Sequence, residues 1–138
     1  MYNPFSLEGK KILITGASSG IGRSIAVECS YMGATLIITA RNKERLDETL
    51  SLMRPGNHMA ITCNLMNEED IVNLVDSLPQ LKGVVHNAGV NSRTLCKTIK
   101  KRDLETVLSP NFYGPVLLQK QLLKKKKISK MKLKKSLQ

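Results

Sequence analysis

At 138 residues the chain has room for one domain with one sizeable core, not for two. Hydrophobic residues make up 41% and aromatics only 4%, which suits an aliphatic core of layered helices and strands better than an aromatic-rich β-sandwich. The net charge of +11 does not mark a nucleic-acid binder, because residues 120–138 carry nine lysines and no acid while the preceding 119 residues hold 13 basic and 11 acidic side chains.

Residues 1–9 contain Asn3, Pro4, Ser6 and Glu8 and lack the apolar stretch of a secretory signal. No window approaches the length of a membrane span, so a soluble, cytoplasmic chain without a membrane partner is the expectation. Residues 11–15 form a short, nearly continuous apolar run ending at Gly16, the pattern of a strand buried on both faces. After a glycine-rich turn, Ile21, Ile25, Cys29 and Met32 recur at helical spacing, with Gly33 placed to end the helix. Residues 35–39 read as a second buried strand, and Leu46, Leu50 and Met53 mark a second helix closed by Pro55 and Gly56.

Residues 59–63 are a weaker third strand. Asn67 then caps a helix whose first turn carries Glu68, Glu69 and Asp70 and whose apolar face is Ile71, Leu74, Val75 and Leu78. A fourth strand spans residues 81–86, a loop spans 87–100, and a fourth helix begins near Lys101 with Leu104, Val107 and Leu108 as its apolar face. Pro110 and Pro115 each remove a backbone donor, so a bend or two helical pieces are expected there. Strands alternating with helices imply right-handed βαβ units: an α/β, Rossmann-like doubly wound parallel sheet. Cys29, Cys63 and Cys96 form no C-x-x-C pair and hold no zinc spacing to His58 or His86; they read as small, largely buried reduced thiols, with no metal site.

The turn between the first strand and first helix is Thr15-Gly16-Ala17-Ser18-Ser19-Gly20-Ile21-Gly22. Glycines let a pyrophosphate approach the main chain, and the following helix offers free N–H groups and a partial positive charge. Strand, turn and helix are the context that a dinucleotide fingerprint requires, although the spacing is G-x-x-x-G-x-G rather than G-x-G-x-x-G. A simple tight turn is the plainer alternative.

That spacing resembles the glycine motif of the short-chain dehydrogenase/reductase family. His86-Asn87-Ala88-Gly89 stands where the family has N-N-A-G, and Asn111 falls where it places a helix-borne asparagine of its catalytic tetrad. The resemblance runs from residue 7 to about 123 and defines an incomplete nucleotide-binding domain over residues 1–123. It implies an NAD(P)-dependent oxidoreductase moving hydride between nicotinamide and a carbonyl or alcohol carbon. The implied cofactor contacts are Gly16, Ser18, Ser19, Gly20, Ile21 and Gly22 at the turn, Arg41 and Asn42 after the second strand, Asn64 and Leu65 after the third, and Asn87, Ala88 and Gly89 after the fourth. No acid stands at the end of the second strand to hold the ribose hydroxyls of NAD; Arg41 is there instead, and its guanidinium favours the 2′-phosphate of NADP. A solvated charge opening a helix is the alternative for Arg41. Asn64 replaces an expected aspartate contacting the adenine amino group, and its oxygen can still accept that bond. Asn87 is expected to tether strand backbones beside the cofactor, and His86 is given no catalytic role.

The family's tyrosine acid and the lysine four residues beyond it have no counterpart. Tyr2, Tyr31 and Tyr113 are followed at that spacing by Ser6, Thr35 and Leu117, so only Asn111 of the tetrad remains. From Lys124 to Gln138 the chain reads as a low-complexity lysine-rich tail, solvated and without aromatics for stacking on bases. A frameshifted or truncated reading frame is the expected origin, and an intact gene frame with no dehydrogenase sequence downstream would contradict it. With the sheet ending after the fourth strand and fourth helix, an open apolar edge is expected to invite self-association. The competing readings are an enzyme's cofactor-binding half, a catalytically inactive nucleotide-binding module, and a non-functional product. The substrate is not legible, because the family builds its substrate pocket largely from later sequence.

Overall fold

The computed structural model describes residues 2–128. Four parallel strands, β1 (Lys11–Thr15), β2 (Thr35–Ala40), β3 (Met59–Thr62) and β4 (Gly83–Val85), lie in the order β3-β2-β1-β4. The continuous apolar runs occupy the two central positions, where both faces are covered: Leu13, Ile14, Leu36, Ile37 and Ile38 are all buried. β1 and β2 run in register from Lys11 opposite Thr35 to Thr15 opposite Thr39, so their carboxyl ends finish level.

Alternate residues of these strands feed two cores. Ile14, Leu36 and Ile38 pack with Ala26, Leu46 and Met53 under α1 (Gly20–Tyr31) and α2 (Lys43–Leu52). Leu13 and Ile37 pack with Ile71, Leu74, Leu118 and Leu122 under α3 (Glu68–Ser77) and α5 (Gly114–Lys124). The sheet is therefore doubly wound and Rossmann-like. β2 and β3 extend to one side of β1 and β4 to the other, which leaves a switch point between β1 and β4 at the carboxyl edge. The expected cap of α3 is present, with the Asn67 side chain accepting from the amides of Glu69 and Asp70.

Several expectations are corrected. The fully buried residues of α1 are Gly22, Ala26 and Ser30; of the expected row, Ile25 and Cys29 are half-buried against the same core, whereas Ile21 is 74% exposed. Small side chains let this helix lie close to the sheet, and Ile21 points into the cleft region instead. The fourth strand is three residues long, not six, and Leu81 sits outside it, bridged to Ile128. The fourth helix is split into α4 (Lys101–Leu108) and α5, the two helical pieces expected from the prolines. Pro110 interrupts the ladder between them and the Gly114 amide reaches back to the Ser109 carbonyl, making a π-helical turn over Ser109–Tyr113. α4 buries none of its residues, so Leu104 and Leu108 face water rather than a core. Cys96 is exposed and Cys29 only half-buried; Cys63 alone is buried as expected.

Beyond α5 the chain turns back to the sheet: the Leu81 amide donates to the Lys127 carbonyl, and Leu81 and Ile128 bridge in parallel beside the approach to β4. This isolated bridge lies outside the four strands and carries the described structure past Leu123, where the motif resemblance ends. The remainder of the lysine-rich tail, residues 129–138, lies outside the described residues.

Candidate nucleotide-binding site

Above the carboxyl edge of the sheet lies a cleft of about 920 Å³. Its floor is organised by Thr15, a buried residue at the end of β1. The Thr15 hydroxyl accepts from the amides of Asn87 and Ala88, both at 3.0 Å, and donates to the Val85 carbonyl at 3.4 Å. One side chain therefore stitches the end of β1 to the segment leaving β4. The Asn87 amide group returns the link by donating to the Gly16 carbonyl at 3.2 Å, which is the tethering role expected of it.

The glycine turn is held from three directions. The Gly16 carbonyl is bound by Asn87, the Ala17 carbonyl by the Thr49 hydroxyl of α2 at 2.7 Å, and the Ser18 carbonyl by the Arg23 guanidinium of α1 at 2.6 Å. Gly22 is buried where α1 crosses the turn, and a methyl group there would overlap the Gly16 carbonyl oxygen and crowd the Asn87 amide. Gly20 is the opposite case: its φ is +55°, open to glycine, and a methyl group there would project into empty space at the cleft wall.

Of the residues anticipated from the sequence, Gly16, Ser18, Ser19, Gly20, Ile21, Arg41, Asn42, Asn64, Leu65, Asn87, Ala88 and Gly89 all line this cleft. Gly22 does not; it lies behind the turn. Asn111 does not either. Its amide is engaged on both atoms by the backbone of Val90, accepting at 2.6 Å and donating at 2.8 Å, so it clamps the loop after β4. The oxygen of Asn42 accepts from the Arg45 amide at 3.0 Å as the N-cap of α2. The oxygen of Asn64 accepts from the Met66 amide at 3.0 Å in a local turn. Each carbonyl oxygen keeps a second lone pair.

The sequence reading missed Thr15, Thr39, Arg45 and Cys63, which also line the cleft. Arg45 carried a signal, since it stands four residues beyond Arg41 in the first turn of α2. The Thr39 hydroxyl is buried with no hydrogen-bond partner among the described residues. Burial first, and the Asp70 carboxylate second, push the Cys63 thiol up to about 11, so it stays protonated at neutral pH. His86 Nε2 lies 3.0 Å from the Gln119 side-chain oxygen on the exposed side of β4. Among the described residues no three or more His, Cys, Asp or Glu side chains gather as a metal site. No helix there is long and apolar enough to cross a membrane.

The model of the short chain dehydrogenase family matches residues 10–132, so the chain belongs to that family. It is 38% identical over 119 residues to the 3-oxoacyl-[acyl-carrier-protein] reductase FabG of Rickettsia felis, covering 86% of this chain and 49% of that protein. It is 35% identical over 119 residues to the 11-beta-hydroxysteroid dehydrogenase 1A of Arabidopsis thaliana, covering 80% of this chain and 34% of that one. Among solved structures, the citronellol catabolism dehydrogenase AtuB of Pseudomonas aeruginosa superposes with a TM-score of 0.82 at 27% identity, over 91% of this chain and 54% of that one. The 2-keto-3-deoxy-D-gluconate dehydrogenase of Streptococcus agalactiae superposes at 0.70 with 31% identity, over 87% and 47%. The chain spans about half the length, or less, of the relatives it matches. The family match continues to residue 132, past the point near Leu123 where the motif resemblance stops.

Proposed function

We propose that this chain is the cofactor-binding half of an oxidoreductase that moves hydride between a nicotinamide dinucleotide and a carbonyl or alcohol, with NADP preferred to NAD. The observation that carries the reading is the glycine turn at the carboxyl edge of the sheet, with its carbonyls tied back and open space beside Gly20. The residues present fit a dinucleotide. An anion over the turn meets main-chain amides and the positive end of α1. The buried, unpartnered Thr39 hydroxyl leaves a polar group in the same cleft for a ligand or a water to satisfy.

In this reading Gly16, Ser18, Ser19, Gly20 and Ile21 hold the pyrophosphate, and Gly22 allows α1 to approach behind them. Arg41 and Arg45 take the 2′-phosphate, with Asn42 fixing the start of α2 between them. Asn64 and Leu65 border the adenine, and Asn87, Ala88 and Gly89 border the nicotinamide side. Asn111 acts by holding Val90 and so the loop that carries those three. When bound, the cofactor supplies or accepts hydride. Proton transfer to the substrate oxygen needs an acid that the 138 residues do not offer, since none of Tyr2, Tyr31 and Tyr113 has a lysine four positions on.

The names of the relatives include a 3-oxoacyl reductase and a hydroxysteroid dehydrogenase, so a carbonyl-bearing acyl chain or ring is the substrate class to try with a full-length counterpart. For this chain the proposal is nucleotide binding without turnover. Incubating the purified chain with NADPH and an acetoacetyl thioester tests this: no loss of NADPH absorbance is expected, and steady consumption would contradict it.

A further inference from the structure

We infer that Arg23 is a positioning residue for the phosphate-binding turn, an inference that rests on the nucleotide reading above. Arg23 stands in the first turn of α1, and its side chain runs back beneath the loop rather than into the cleft. Its fork is used on two elements at once. Nη2 donates to the Ser18 carbonyl at 2.6 Å and to the Arg45 carbonyl at 3.2 Å, while Nε donates to the Thr49 hydroxyl at 2.9 Å. Thr49, fully buried, passes its own proton to the Ala17 carbonyl at 2.7 Å.

The consequence follows from peptide geometry. In a planar trans peptide the N–H of the next residue points opposite to the carbonyl. Drawing the Ala17 and Ser18 carbonyls toward α2 therefore turns the amides of Ser18 and Ser19 the other way, and both residues line the cleft. Arg23 also ties the turn to the helix that carries Arg45, which fixes the spacing between the pyrophosphate and 2′-phosphate contacts. Its ion pair with Glu48 at 3.1 Å adds little, since Glu48 is 65% exposed and the charges are screened by water. A lysine could satisfy one of these acceptors but not the set, because it lacks the rigid fork.

The test uses the full chain and two ligands: NADPH, and adenosine 2′-monophosphate, which carries the 2′-phosphate but no pyrophosphate. Arg23→Gln is expected to weaken NADPH about tenfold and to leave the monophosphate within about twofold, the loss of partly buried, charge-assisted hydrogen bonds that preorganise one subsite only. Arg23→Lys recovers part of that loss, and Glu48→Gln changes neither ligand. Thr49→Val, neutral and close in shape, repeats the NADPH-selective loss and carries the comparison if Arg23→Gln does not fold by circular dichroism. NADPH affinity unchanged in Arg23→Gln, or both ligands weakened in parallel, would overturn the positioning role while leaving the nucleotide reading intact. A wild-type chain that binds neither ligand would overturn both.

Discussion

Thr15 and the Ala88 amide it binds are 73 positions apart in sequence, yet their 3.0 Å contact shapes the floor of the cleft. Nothing local in the sequence announces that contact; the threonine reads simply as the last residue of a strand. Arg41 is the reverse case, visible at once because a cation stands where an acid would serve NAD. Replacing Arg41 with alanine is expected to weaken NADPH by about tenfold, the range for one charge-assisted bond, and to leave NADH nearly unchanged in parallel titrations. Equal loss for both nucleotides would mean that Arg41 does not read the 2′-phosphate. The thiols separate by environment as well. Exposed Cys96 is expected to be alkylated readily at pH 8, whereas Cys63, buried and pushed up to about 11 from an ordinary 9.0, resists until the pH nears that value. Because the folded state holds the Cys63 proton more tightly than the unfolded state does, its contribution to stability is complete below about pH 9 and is lost as the pH rises through 11. Mass spectrometry of iodoacetamide adducts across pH checks the order of labelling.

Among the elements, β1 and β2 were legible because strands covered on both faces need continuous apolar residues, and Ile12 to Ile14 and Leu36 to Ile38 supply them. α3 was legible to its cap. Asn67→Ala is expected to cost about 1 kcal/mol and lower the melting temperature by several degrees without altering nucleotide affinity. α1 was placed correctly and Ile25 and Cys29 do pack on the core, but its fully buried residues were missed, because Gly22, Ala26 and Ser30 carry almost no hydropathy signal. Close approach, not apolar bulk, selects that face. Gly22→Ala is accordingly expected to destabilise the fold by about 1–3 kcal/mol and to abolish nucleotide binding, since the added methyl pushes the turn and Asn87 apart. The π-helical turn over Ser109–Tyr113 was foreshadowed by Pro110, but the clamp from Asn111 to Val90 was not, being another long-range contact from a side chain that the family pattern marks for catalysis.

At the scale of the whole molecule, the described residues leave an apolar row and one edge of the sheet exposed. Leu104, Leu108, Phe112 and Val116 recur every four residues along α4, the π-turn and α5, each 41–58% exposed. Among the described residues β4 is the outer strand of the sheet, with Lys127 and Ile128 meeting its approach at Leu81. Such an edge and apolar row favour association, and the average mass by sedimentation is expected to rise with concentration. A monomer at every concentration with one sharp cooperative melt would contradict that.

Whether this chain forms a working dinucleotide cleft is decided by a titration of the purified protein with NADPH and NADH, followed by nucleotide fluorescence. Saturable binding to the chain is expected, tighter for NADPH than for NADH. No saturable binding to either nucleotide would contradict it and leave the family membership as ancestry alone.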